Sequence, residues 1–348
     1  MHKAPLVLAA LLSAAPALAQ VAASASPDQA QPAPLSPGEI VAAAPKGDWV
    51  AIAPSDLLVM DLAPDAKGKA RRVVIQLMPP PFSQGWIGNI RKLAAARFWD
   101  GTAVNRVQDN YVVQWGDPNA EDAKKAKKLP ADLETVPESE YVSSLSDWQR
   151  RNAQRDRERQ DQQASESKPP VIVATKAIEP YPDWQSADAY APWVDFYEGL
   201  PVATSGYGWD QVWWPIHCYG MVGVGRNLSP DTGTGAELYV VIGHAPRHLD
   251  RNIALVGRVI EGIEHLSSLP RGTGPLGFYE SAEERVPIVS IRAGSEVEGL
   301  PTYEYLSTES DSFAHYADAR ANRRDPFFIR PAGGADVCNI PVPVRRAK

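Results

Sequence analysis

The chain is poor in cysteine: its 348 residues include only Cys218 and Cys338. It contains no C-x-x-C pair and no second cluster of cysteine and histidine, which argues against a zinc site at His217 and Cys218. Two thiols of an exported protein meet an oxidising compartment, where thiols tend to pair. The sequence therefore favours a Cys218–Cys338 disulfide and no bound metal, with two separate thiols as the alternative.

Several other features are missing. After the N-terminus, no apolar run approaches the roughly 20 residues that a membrane-spanning helix needs. There is no basic excess, since 35 Lys and Arg stand against 42 Asp and Glu, which argues against a general nucleic-acid binder. No G-x-S-x-G nucleophile elbow occurs. The GTGPLG stretch at 272–277 follows a predicted helix instead of a strand, which argues against dinucleotide binding.

The N-terminus has the pattern of a secretory signal peptide. Lys3 precedes a short apolar run, and Ala-Leu-Ala stands before Gln20, which predicts cleavage after Ala19. No cysteine follows the cleavage site, so a lipid anchor is not expected there. Residues 20–47, rich in Ala, Pro, Ser and Gln, predict a disordered lead-in. We expect an exported, periplasmic protein without stable membrane insertion.

Short strands dominate the rest of the pattern. The runs at 55–63 and 71–79 predict an antiparallel hairpin, and helical spacing from Trp86 to Ala94 predicts a helix. Further strands are expected within 98–118, 218–226, 236–244, 247–260 and 286–292, and further helices at 261–272 and near 308–324. Few helices among many strands predict a mainly β fold: a closed antiparallel barrel with a helix at each open end.

The segment 119–217 interrupts this pattern. It contains stretches dense in both signs of charge, and 147–163 predicts an exposed helix held by ion pairs. The Trp and Tyr residues between 181 and 214 suggest either a peptide-binding face or, the favoured interpretation, an anchor onto the barrel. We therefore predict a domain at 48–296 interrupted by a surface insertion at 119–217, with a C-terminal extension at 297–348.

Two stretches resemble the cyclophilin family. FWDGTAVNRVQDNYVVQWGDP, at 98–118, is similar to the family's F-x-D-G-T, H-R-V, Phe-Met and Q-G-G-D signature. GTGAELYVVIGHAPRHLDRNIALVGRVIEGIEHL resembles a second family block, in which a strand precedes W-L-D-G and F-G-x-V-x-x-G. The blocks occur in the family's order, with the expected elements between them. The resemblance covers about 55–118 and 218–292, but neither the insertion nor the tail.

The resemblance implies a peptidyl-prolyl cis-trans isomerase, which needs no cofactor. In that family, an Arg donates to the prolyl nitrogen in the twisted state, and this position is Arg106 here. Gln114 would hold the substrate backbone or Arg106 itself. Their even separation places both side chains on one face of an unbroken strand, although Tyr111 requires a bend between them. The expected partners are proline-containing segments of unfolded or extended proteins.

The resemblance also assigns a substrate-binding wall that departs from the family pattern. Val112 stands where the family has Met, Glu237 replaces Gln, His248 replaces Trp, and Ile253 replaces His. Two alternatives follow: a non-catalytic cyclophilin-like peptide-binding module or periplasmic chaperone, and an envelope assembly or structural protein acting through the insertion. The predicted wall comprises Tyr111, Val112, Gly225, Arg226, Glu237, Tyr239, His248, Leu249 and Ile253.

Overall fold

The computed structural model describes residues 33–144, 146–147, 149–150, 153–154, 157 and 184–347. The predicted signal peptide, residues 20–32 of the predicted lead-in and most of the charged stretch 147–163 lie outside the described residues, so those expectations remain predictions. Within the described ranges, no helix combines the length and the apolar character needed to cross a membrane.

The described residues form a closed barrel and two smaller sheets. The strands are β1 (Trp49–Ile52), β2 (Leu57–Leu62), β3 (Arg71–Leu77), β4 (Ala103–Val107), β5 (Val112–Gly116), β6 (Ser143–Ser144), β7 (Trp193–Tyr197), β8 (Leu200–Ser205), β9 (Val212–Pro215), β10 (Met221–Val224), β11 (Leu238–Val241), β12 (Leu255–Glu261), β13 (Val286–Ala293), β14 (Tyr303–Leu306) and β15 (Val344–Arg346). The barrel order is β10-β11-β5-β4-β13-β2-β3-β12, and the smaller sheets are β1-β14-β15 and β6-β9-β8-β7. The predicted closed antiparallel barrel is confirmed.

The predicted elements at the start of the barrel are also confirmed. β2 pairs antiparallel with β3, and helix α2 (Gln84–Ala95) follows. The apolar spacing along α2 turns one face toward the main core, where Trp86, Ile90 and Leu93 are fully buried. Burial of three such side chains stabilises the helix by several kcal/mol, at about 1.5–3 kcal/mol each.

The stretch around Arg106 is a hairpin and not one bent strand. β4 ends at Val107 and β5 begins at Val112. Between them, Asn110 has a left-handed φ of 50°, a conformation that Asn adopts more readily than most residues. A register shift after Val104 then places Arg106 directly opposite Gln114. The two side chains share a face because the strands pair, and not because of their parity along one strand.

The middle segment contributes to the core, so the expectation of a purely surface insertion is wrong. Val194, Leu200 and Trp214 of its sheet are buried in the same apolar cluster as the barrel residues. Tyr141 stacks on Trp86 of α2, with ring centroids 5.4 Å apart. Its strands are only two to six residues long, which hides their apolar pattern in the sequence. The buried Trp214 agrees with the anchor interpretation.

Two helices outside the barrel pack together. α1 (Pro37–Ala43) begins at a capping box, in which Ser36 and Glu39 satisfy each other's backbone N–H groups. Ile40 packs into a second core cluster with Phe313 of a late helix. The predicted disorder through residue 47 is therefore wrong from Pro37 onward, because α1 gains a distant apolar partner. Two later helices of the described residues are α3 (Glu264–Ser267), shorter than predicted, and α4 (Asp311–Ala321), as predicted.

The predicted disulfide joins the tail to the barrel. Cys218 and Cys338 are bonded, with their Cα atoms 5.1 Å apart. On either side of Cys338, Val337 and Ile340 are buried. The bridge closes a loop with a sequence separation of 120 residues, so it removes a large amount of chain entropy from the unfolded state.

Removal of this disulfide should destabilise the protein without unfolding the barrel. We expect the C218S/C338S double variant to lose about 2–4 kcal/mol of unfolding free energy, measured by urea denaturation under non-reducing conditions. Wild-type protein in reductant is the matched control and should lose a similar amount. Equal unfolding free energies for the double variant and the oxidised wild type would contradict the prediction.

Candidate active site

Four neighbouring barrel strands place one residue each in a row across the sheet. Arg106 of β4 lies opposite Gln114 of β5. Gln114 lies opposite Tyr239 of β11, which in turn lies opposite Gly223 of β10. Directly opposed residues of antiparallel strands project to the same face. The row therefore sets a guanidinium, an amide and an aromatic ring side by side.

Three hydrogen bonds fix the guanidinium of Arg106. Its Nη1 donates to Gln114 Oε1 over 3.0 Å, and its Nε donates to the carbonyl oxygen of Leu276 over 2.7 Å. Its Nη2 donates to Oε1 of Gln108, in the turn between β4 and β5. A guanidinium carries five N–H groups, so two N–H groups remain for a ligand while the orientation stays fixed.

Two aromatic rings flank this guanidinium. The Cζ atom of Arg106 lies 5.6 Å from the ring centroid of Tyr111 and 5.3 Å from that of Phe278, within the range of cation–π attraction. Burial lowers the pKa of Arg106, but an arginine side chain keeps its charge near pH 7. The site thus presents a partly desolvated, permanent positive charge.

The amide of Gln114 is oriented from both ends. Its oxygen accepts from Arg106, and its Nε2 donates to Oε1 of Glu237. Two glycines make room for this carboxylate: a Cβ atom at Gly116 or Gly225 would come within 3.2 or 3.0 Å of Glu237 Cγ. Burial raises the pKa of Glu237. Glu237 therefore serves as the acceptor that orients the amide of Gln114.

A small apolar cluster, separate from the main core, adjoins this polar row. His248 stacks on Tyr111 at its edge, with ring centroids 6.5 Å apart and planes at 9°. The cluster places apolar side chains next to the guanidinium: its three core members are buried, and Tyr111 and Ile253 are half-buried at its edge. Its members are Val112, Tyr239 and Val241, with Tyr111 and Ile253 packed against them.

A groove of about 760 Å³ runs past the guanidinium. Arg106, Gln114, Gly225, Arg226 and Glu237 line it, so the structure brings these predicted site residues together. The guanidinium of Arg226 donates to the carbonyl oxygen of Asn252 over 3.0 and 2.8 Å, which holds it at the groove wall.

Leu249 is the one predicted wall residue that the structure places apart. It is half-buried in the 3₁₀ turn Arg247–Leu249. Among the described residues, it belongs neither to the groove wall nor to the apolar cluster.

A buried polar chain extends from the aromatic row into the middle segment. Tyr239 Oη lies 2.8 Å from His217 Nε2, and His217 Nδ1 lies 2.8 Å from Asp250 Oδ1. Arg247 donates to Asp250 over 2.7 Å and to both carboxylate oxygens of Asp188 over 2.8 and 2.9 Å. This chain connects the floor of the apolar cluster to the middle segment.

The partners fix the tautomer of His217. Asp250 Oδ1 also accepts from the backbone N–H of His217 over 3.0 Å, so Nδ1 carries a proton and Nε2 accepts from Tyr239. Burial lowers the pKa of His217, while the Asp250 carboxylate opposes that shift. His217 is thus neutral near pH 7, and it holds the Tyr239 ring in place.

Several of these residues are invisible to sequence reasoning. The sequence suggests only a zinc site for His217, next to Cys218, whereas its hydrogen-bond partners are Tyr239 and Asp250. The GTGPLG loop, rejected as a nucleotide motif, supplies the Leu276 carbonyl group and leads into Phe278. Within the described ranges, no group of three or more His, Cys, Asp or Glu side chains is placed to hold a metal ion.

The chain is similar to one protein family and to several solved structures. A family model described as cyclophilin type peptidyl-prolyl cis-trans isomerase/CLD matches residues 72–293. Among solved structures, the chain is similar to cyclophilin AquaCyp293 from Hirschia baltica, at 21% identity, with 86% of this chain and 94% of that chain covered and a TM-score of 0.55.

A second solved structure is a Cryptosporidium parvum cyclophilin type peptidyl-prolyl cis-trans isomerase, at 11% identity, with 68% of this chain and 96% of that chain covered and a TM-score of 0.34. A search of curated proteins gave no match. The similarity to the Hirschia baltica protein supports the barrel fold.

The buried neutral histidine predicts a defined pH dependence of stability. Because burial lowers the pKa of His217 below its ordinary value of 6.5, the unfolded chain takes up a proton first as the pH falls. Unfolding free energy should therefore decline below about pH 6.5, by at most about 1.4 kcal/mol per pH unit for this one proton.

The H217Q variant should show a flatter decline between pH 8 and 5.5, measured by urea denaturation at each pH. The H244Q variant, at an exposed histidine, controls for the loss of a histidine as such. Identical pH slopes for wild type and H217Q would contradict the assignment.

Proposed function

The chain belongs to the cyclophilin-type peptidyl-prolyl cis-trans isomerase family, and we propose that it accelerates rotation about X-Pro bonds with Arg106 as its electrostatic group. One observation carries this proposal: a guanidinium fixed by three protein acceptors lies beside an apolar cluster that is separate from the main core. The first supplies charge at a fixed point, and the second holds a proline ring.

The chemistry requires only electrostatics and position. The peptide C–N bond resists rotation because the nitrogen lone pair is shared with the carbonyl group, which creates a barrier of about 18–20 kcal/mol. In the twisted state the lone pair returns to nitrogen. A hydrogen bond from Arg106 to that nitrogen then strengthens as the bond twists, so it stabilises the transition state more than the ground state.

The neighbouring groups divide the remaining tasks. The apolar cluster around Val112 and Tyr239 would hold the proline ring, and the Tyr239 ring is itself held by His217. Gln114 would keep the Arg106 fork aligned, since its own amide is fixed by Glu237. The groove beside Arg106 has room for residues next to the proline. No cofactor takes part in this scheme.

We extend the proposal to substrate and location. The N-terminal signal pattern and the Cys218–Cys338 disulfide, a bond that persists in oxidising compartments, support action outside the cytoplasm. The groove beside Arg106 is lined in part by the exposed Leu129 and Leu276, so it is open to an extended polypeptide. Proline-containing segments of unfolded or extended exported proteins are therefore the proposed substrates.

Loss of the guanidinium should remove most of the activity. We expect R106A to lose on the order of a hundredfold in kcat/KM toward a short X-Pro peptide, the typical effect of losing one electrostatic donor. R106K keeps a charge without the planar fork and should fall between wild type and R106A. The rate is measured by a protease-coupled isomerisation assay, and thermal unfolding verifies that each variant is folded.

The outcomes separate the candidate functions. An unchanged rate in folded R106A would contradict the role of Arg106. Peptide binding without any rate enhancement in wild type would instead favour the peptide-binding module.

Glu237 should make this activity depend on pH. Its pKa lies above the ordinary value of 4.5 because of burial. Below the raised pKa, protonation weakens the acceptor that orients Gln114, and kcat/KM should fall by about fivefold, the equivalent of a hydrogen bond of about 1 kcal/mol. E237Q keeps an amide oxygen as acceptor at every pH, so its profile should be flat over this range.

Exchange spectroscopy by NMR measures the isomerisation rate without a coupling protease at each pH. E298Q removes an exposed acid that does not line the groove and is the matched control. A pH profile shared by wild type and E237Q would refute the role given to Glu237.

A further inference from the structure

A second cavity, of about 250 Å³, lies between the barrel strands β10 and β12, the middle segment and the C-terminal tail. The barrel strands β10 and β12 contribute Met221 and Val259 to it. The middle segment contributes Phe196, and the C-terminal tail contributes Val337 and Val342. Most of its lining side chains are therefore apolar, while polar atoms contribute about half of its exposed surface, and the disulfide between Cys218 and Cys338 is part of the wall.

Arg258 of β12 lines this cavity with an unsatisfied charge. The residue is only 8% exposed, and its Nε donates to Gln76 Oε1 over 2.9 Å. Its Nη2 is buried and has no hydrogen-bond partner. No carboxylate of the described residues forms an ion pair with it, and the ring of Tyr305, 5.9 Å away, provides a weak cation–π contact.

The unpaired charge of Arg258 destabilises the folded protein when no ligand is bound. Burial lowers the pKa of Arg258 to about 10, so the side chain still carries its charge near pH 7. A buried charge without a counter-ion is strongly unfavourable, and buried charges are ordinarily paired. Arg247, a deeply buried arginine near the active site, is paired in this way with two carboxylates. Arg258 lacks that compensation.

The cavity exists because of chain segments outside the matched family region. Arg258 lies within residues 72–293, whereas the tail residues that close over it lie beyond them. The disulfide holds this tail in place. Tyr219, which is 50% exposed, and the exposed Pro341 also line the cavity, so it reaches the surface.

We propose that this cavity binds a small carboxylate with a short apolar tail. A carboxylate accepts hydrogen bonds from a guanidinium and supplies the missing negative charge. The apolar walls suit a hydrocarbon tail. One arginine balances one negative charge, which favours a monoanion over a phosphate dianion. The volume lies below the roughly 300–1,000 Å³ of pockets for drug-sized ligands, which limits the tail to a few carbons.

The carboxylate has two chemical sources, a free short-chain acid or the C-terminus of a peptide with an apolar last residue. Thermal unfolding of the full-length protein tests both at constant ionic strength, with sodium pentanoate and with acetyl-Ala-Val bearing a free carboxylate. Pentanol and the acetyl-Ala-Val amide are the uncharged controls, and sodium chloride is the salt control. At about one hundred times Kd, a bound carboxylate should raise Tm by about 5 °C.

Two variants connect the effect to the cavity. R258M removes the buried charge at similar volume and should abolish the Tm shift, while its own Tm without carboxylate should equal or exceed that of wild type. V344F narrows the cavity but keeps Arg258, and should weaken carboxylate binding at least tenfold by calorimetric titration. R91M, at an exposed arginine of α2, should respond like wild type.

The source follows from which carboxylate protects the protein. A shift with pentanoate alone assigns a free acid, and a shift with the peptide acid alone assigns a peptide terminus. If neither carboxylate raises Tm above the chloride control, or if R258M responds like wild type, the proposal is overturned and water alone satisfies Arg258. The test measures Tm and carboxylate affinity and not the isomerase rate, so its failure leaves the proposed function intact.

Discussion

The active-site row depends on the register of β4 against β5. A slip of one residue would turn Arg106 to the opposite face of the barrel, because side chains alternate along a strand. The irregularity after Val104 sets the register that brings Arg106 opposite Gln114. Closure of the barrel gives each strand a partner on both sides, so the hairpin cannot slip without breaking the pairing of β5 with β11 as well. The place of Arg106 beside Gln114 is thus a property of the whole barrel, while the turn at Gln108 and the loop at Leu276 add the other two acceptors.

The same barrel also depends on the middle segment. Arg247, Asp188 and Asp250 are almost fully buried, with side chains 2%, 4% and 5% exposed. Removal of one partner from such a group leaves an uncompensated charge, which costs several times the value of an exposed pair. Asp188 belongs to the middle segment, and Asp250 reaches the active-site floor through His217. The segment is therefore tied to the site by charge compensation as well as by apolar packing.

Sequence reasoning reaches the barrel and the polar pair because both leave local signals. The helical spacing of α2, the hairpin of β2 and β3, and the stretch around Arg106 each lie within about twenty residues. The third acceptor of Arg106 is the carbonyl oxygen of Leu276, 170 positions away. No local sequence pattern predicts this contact. The middle strands are hidden for a related reason: they are short, and the core residues that they contact lie far away in the sequence. Likewise, the capping box of α1 is readable in the sequence, but its apolar partner α4 appears only in the fold.

Two arginines, the half-buried Arg106 and the buried Arg258, show why residue type alone does not assign a role. Arg106 directs three donors to Gln114, Gln108 and the Leu276 carbonyl group, and keeps two N–H groups for a substrate. Arg258 has one neutral acceptor and a buried Nη2 without a partner. The first is oriented in advance, as catalysis of a rotation requires, because a fixed donor needs no reorganisation when the bond twists. The second is held by apolar walls that cannot neutralise it, so a ligand that enters its cavity must bring the charge.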